Sequence, residues 1–141
     1  MNYHQWDRYG FLWSEARLVI AALALFLGGV PPALRFFGWF PLVGALLLIC
    51  WVVSGLVSAY LLYRWFEHNW HLFGAKRPLD MAVFAVNIVS GLNLGIAGLI
   101  GRNIGMSISS NYTVFVIVAL VYLASAAQLY IRWNSNGEKL F

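Results

Sequence analysis

Apolar residues run along this chain in long blocks, separated by short polar stretches. A helix needs about 20 largely apolar residues to cross a bilayer core. Four blocks reach or approach that length: Leu18 to Leu34, Phe40 to Tyr63, Met81 to Ile100 and Tyr112 to Ile131. None of them contains Asp, Glu, Lys, Arg or His. The pattern predicts an all-α integral membrane protein: a single four-transmembrane-helix bundle over residues 1–141, with a polar loop over 64–80 and no soluble domain. Pro31-Pro32 ends or kinks the first helix, because proline removes a backbone donor and clashes with the preceding turn. Gly74 and Pro78 break the chain within the loop, and Asp80 is placed to cap the third helix. The polar tail, Asn134 to Phe141, is expected to fray.

Composition agrees with this class. The chain of 141 residues is 62% hydrophobic and 10% charged, against about a quarter charged in soluble domains. Its one cysteine, Cys50, excludes an internal disulfide and a cysteine-rich metal site. The placement of charge predicts orientation. Arg8, Arg17, Arg64, Lys76, Arg77, Arg132 and Lys139 fall on one side of a four-span layout, and only Arg35 and Arg102 fall on the other. Basic residues collect on the cytoplasmic side, so both termini are expected in the cytoplasm (N-in, C-in), in a prokaryotic inner membrane. Asp7 and Glu15 precede the first block, unlike the basic start of a secretory signal.

The third block carries the most unusual residues. At steps of three and four, Asn87, Gly91, Gly95, Gly98 and Arg102 share one helical face, with Ser90 and Asn93 beside it. The second block offers Ser54, Gly55 and Ser58, and the fourth offers Ser125 and Gln128. Small residues let helix backbones approach in lipid, and amides hydrogen-bond across the seam. These faces therefore read as packing surfaces, within the chain or between chains. The alternative is a polar path, since polar groups at membrane depth often mark solute routes; Arg102 would then attract an anion at its mouth.

Outside the blocks, His68 and His71, with Glu67, are candidate metal ligands. Their setting among aromatic residues equally suits an anchor at the headgroup level. With no acid or histidine in any block, proton-coupled transport and intramembrane haem ligation are disfavoured. No catalytic motif is present, and no cofactor is expected. The sequence therefore points away from enzymes, toward an accessory or structural subunit of a larger membrane complex, or a homo-oligomer. A small channel or facilitator for a neutral or anionic solute, lined by the Asn, Ser and Gly face, is the alternative. The expected partners are the lipid bilayer and other membrane chains or further copies of this one, not nucleic acid.

Overall fold

A computed structural model of the protein describes residues 3–29 and 41–141. The described chain is helical: α1 Tyr3–Phe26, α2 Pro41–Glu67, α3 Pro78–Ile100, a short α4 Ile104–Ile108, and α5 Tyr112–Ser135. Four of these, α1, α2, α3 and α5, are long and apolar enough to cross a membrane. No strand occurs among the described residues, only an isolated bridge between Leu72 and Ala75. The four long helices run up and down. α1 packs on α2, α3 and α5, and α3 packs on α2 and α5. The start of α1, the 68–77 loop and the C-terminal residues gather at one end, termed the closed end below.

The first helix differs from the sequence expectation. It begins at Tyr3, well before Leu18, and takes in Asp7, Arg8, Glu15 and Arg17. It stops at Phe26, followed by Gly28 and Gly29 with φ of 91° and 104°, values open to glycine at little cost. Pro31, Pro32, Leu34, Arg35 and Phe40 lie outside the described residues. An apolar window misses the first half of α1 because Asp7, Glu15 and Arg17 are buried against polar partners of the bundle and do not face lipid, while Arg8 pairs with Glu138 at the surface. Asp7 accepts from Arg64 Nε and Nη2 on α2, both at 3.0 Å, and from the Tyr60 hydroxyl at 2.8 Å. The same pairing carries α2 as far as Glu67, into the stretch the pattern assigns to a loop.

Asp80 does not cap α3. Arg77 occupies the N-cap position and Pro78 opens the helix. Asp80 instead reaches sideways, fully buried, to Arg132 Nε at 2.9 Å and Gln128 Nε2 at 3.1 Å on α5. The tail does not fray. Leu140 is buried, the Phe73 N–H donates to its carbonyl at 2.8 Å, and the Phe141 ring stacks on His68 with centroids 4.9 Å apart. Phe11, Trp65, Phe73, Phe84 and Trp133 fill the closed end. Asn69, Trp70 and Phe73 adopt left-handed backbone with φ of 56°, 64° and 51°, a conformation costing about 1–2 kcal/mol per residue. The aromatic contacts of Trp70 with Trp65 and of Phe73 with Phe11 offset that cost.

Candidate functional site

The glycines of α3 are used within the chain. A Cβ built on Gly55 would lie 2.6 Å from Gly95 Cα, and one on Gly95 would lie 2.6 Å from Gly55 Cα. The two backbones therefore touch, which only glycine at both positions permits. Gly98 faces Trp51 and Val52 of α2. One turn toward the closed end, Gly91 makes room for two side chains: an added Cβ would overlap Ser58 and sit 3.2 Å from Arg17 Cζ.

That room holds the most polar point of the bundle. Arg17 reaches from α1 between α2 and α3 and is 7% exposed. It donates from Nη1 to Ser90 Oγ at 2.8 Å, and from Nη2 to the Asn87 carbonyl at 2.8 Å and to Ser14 Oγ at 3.4 Å. Nη2 also donates to Asn87 Oδ1. Asn87, fully buried, accepts from Ser14 Oγ at 2.8 Å and donates through Nδ2 to Glu15 Oε1 at 3.0 Å. Its one amide thus joins an arginine and a glutamate from the same helix. A buried amide has to find such partners, because leaving it bare costs a few kcal/mol.

A cavity of about 430 Å³ opens from this cluster toward the other end of the bundle. Arg17, Ser90, Trp13 and Ser54 form its polar floor, and Leu25, Leu47, Leu94 and Phe115 are among its walls. The Trp13 indole donates to Ser54 Oγ at 3.1 Å, and Ser54 donates to the Cys50 carbonyl at 2.6 Å. From Arg17 to the end of α1 the helix rises about 13 Å, so the floor lies near mid-bundle. Toward the closed end, fully buried Phe11, Leu61, Phe84 and Leu129 stop the void. Among the described residues the cavity ends at that layer. Its volume and apolar walls with a few polar groups suit a small-molecule site.

Asn93 forms part of the mouth. Its Nδ2 donates to Asn103 Oδ1 at 2.9 Å, and its Oδ1 accepts from the backbone N–H groups of Ile104 and Gly105 at 3.1 and 3.4 Å. The side chain thus holds α4 beside the cavity. Arg102 is exposed and lines no part of it. Gln128 and buried Ser125 sit on α5, with Gln128 bound to Asp80 and away from the cavity.

The histidines make local contacts. His68 Nδ1 lies 2.8 Å from the Arg64 carbonyl and His71 Nδ1 lies 3.0 Å from the His68 carbonyl, while Glu67 accepts from Arg64 and Tyr63. Among the described residues no three His, Cys, Asp or Glu side chains gather as a metal-binding group.

Sequence reasoning missed Ser14, Glu15 and Arg17 because they precede the apolar block. A signal was there: Asp7, Phe11, Ser14 and Leu18 recur at steps of four and three, the spacing of one buried helical face. No family model, curated protein or solved structure matches the chain.

Proposed function

We propose that the chain is an integral membrane protein, with its closed end in the cytoplasm, that takes an apolar or amphiphilic solute into the central cavity and carries or facilitates it. One observation supports this reading above others: a roomy, apolar-walled cavity with a polar floor near the middle of a bundle long enough to span a bilayer. The charge distribution supports the orientation. Arg8, Arg64, Lys76, Arg77, Arg132 and Lys139 cluster at the closed end, whereas Arg102 sits at the other; Arg17 is removed from that tally by its burial. The accessory-subunit reading rests on packing faces without catalytic motifs, the glycine stripe foremost among them. Since α2 already occupies that stripe, docking to another chain would use the outward leucine and isoleucine faces instead.

Cys50 provides the test. It is the one cysteine in the chain, is exposed, and lines the cavity. In reconstituted vesicles, decanol is expected to slow alkylation of Cys50 by an apolar maleimide. Ala24→Trp, which places a large ring on the cavity wall, is expected to slow alkylation by itself and to remove the effect of decanol. Equal rates with and without decanol, together with an unaltered rate in the Ala24→Trp variant, would sink the reading. A fusion reporter at the C-terminus that is active only outside the cytoplasm is expected to stay silent.

A further inference from the structure

The guanidinium at the cavity floor has an unusual set of partners. Every atom that accepts from Arg17 belongs to a neutral group: Ser90 Oγ, Ser14 Oγ, and the carbonyl and side-chain oxygens of Asn87. Among the described residues no carboxylate lies within ion-pair distance of it, while Arg64 pairs with two and Arg132 with one. Glu15 is bonded to the nitrogen of the same Asn87 amide whose oxygen accepts from Arg17, so it acts on the guanidinium across that amide and makes no direct ion pair with it. In addition, Arg17 Nε is buried without a hydrogen-bond partner. Buried charges are otherwise paired or bound to an ion, because an isolated charge in apolar surroundings is costly.

This cation forms part of the cavity floor, below apolar walls. We propose that the cavity selects a single-chain amphiphile with an anionic head, whose head pairs with Arg17 and whose tail lies along the apolar walls toward α4. The inference rests on the cavity reading above and adds the class of ligand. A guanidinium offers a planar fork suited to carboxylate and phosphate alike. Ser90 and Ser54 add hydroxyl groups at the same floor, and Trp13 closes it with an indole already engaged by Ser54. Gly91 is what lets the guanidinium reach this position, since any larger residue would press on its Cζ.

The experiment compares three probes of equal chain length, decanol, decanoate and decyl phosphate, at pH 8, by protection of Cys50 in the full chain. The anions are expected to protect at concentrations about tenfold or more below decanol, the advantage of a charge-assisted over a neutral hydrogen bond in a dry site. Arg17→Gln is expected to bring the ratio of anion to alcohol affinity close to one, and Arg17→Lys to retain part of it. Whichever anion binds tighter names the head. Should Arg17→Gln fail to fold, the comparison in the unaltered protein still decides. Equal protection by all three probes overturns the inference and leaves the cavity reading standing. So does a preference that survives Arg17→Gln. No protection by any probe removes the cavity reading, and this inference with it.

Discussion

Gly91 supports more than its missing side chain suggests. It lies on the α3 face that meets Ser58 of α2 and the Arg17 guanidinium of α1 at once. Gly91→Ala is expected to destabilise the protein by about 1–3 kcal/mol, the usual result of overpacking, with a lowered midpoint of thermal unfolding in detergent. Gly44 is the control. Among the described residues nothing lies within 4 Å of a Cβ added there, so Gly44→Ala is expected to be neutral, or stabilising by up to about 1 kcal/mol through helix propensity. An unchanged midpoint in Gly91→Ala would contradict the packing described. Asn87 is the second such residue. Asn87→Leu removes an acceptor from Arg17 and a donor from Glu15 together, so a loss on the order of 3 kcal/mol is expected. Asn87→Asp keeps the acceptor but not the donor, and is expected to lose less. Spacing alone placed Asn87 and Gly91 on one face. It could not show what that face meets, because Arg17 comes from a helix whose polar half reads as a tail.

Among the helices, α2, α3 and α5 follow directly from their apolar blocks, within a few residues at each end. α1 does not. Hydropathy measures the cost of a side chain facing lipid, whereas Asp7, Glu15 and Arg17 face other helices and find partners there. The α3–α5 seam shows the same principle, since Asp80 spends its carboxylate on Arg132 and Gln128 instead of on its own helix start. Asp80→Asn is expected to weaken that seam by about 2 kcal/mol, the scale of a hydrogen bond to a charged group; urea unfolding in mild detergent reads the change. A midpoint as high as that of the unaltered protein would mean that the pair contributes little. α4 has so few turns that its order depends on Asn93. Asn93→Ala is expected to speed hydrogen exchange at the Ile104 and Gly105 amides, which lose their acceptor, while amides in the middle of α3 keep their protection.

The two ends of the bundle are built differently. One is packed solid with aromatic rings and closed by the tail, and the other holds a void. Leu140→Ala is expected to cost about 2–5 kcal/mol, as for a leucine in a tight core. It is also expected to raise proteolysis of the 134–141 segment without changing Cys50 alkylation, because the cavity is walled off from that end. A parallel change in both measurements would show that the two ends are coupled.

The polar half of α1 also bears on how such a protein is made. An arginine near the centre of a lone helix opposes entry into the bilayer by about 3 kcal/mol, and α1 carries Arg17 and Glu15 together. Their partners Asn87 and Ser90 belong to α3, which leaves the ribosome long after α1 does. Helix α1 is therefore expected to wait at the membrane surface and to enter only when the α2–α3 hairpin has arrived to receive it. A nascent chain halted before residue 87 would hold α1 outside the bilayer, and one released after residue 100 would not.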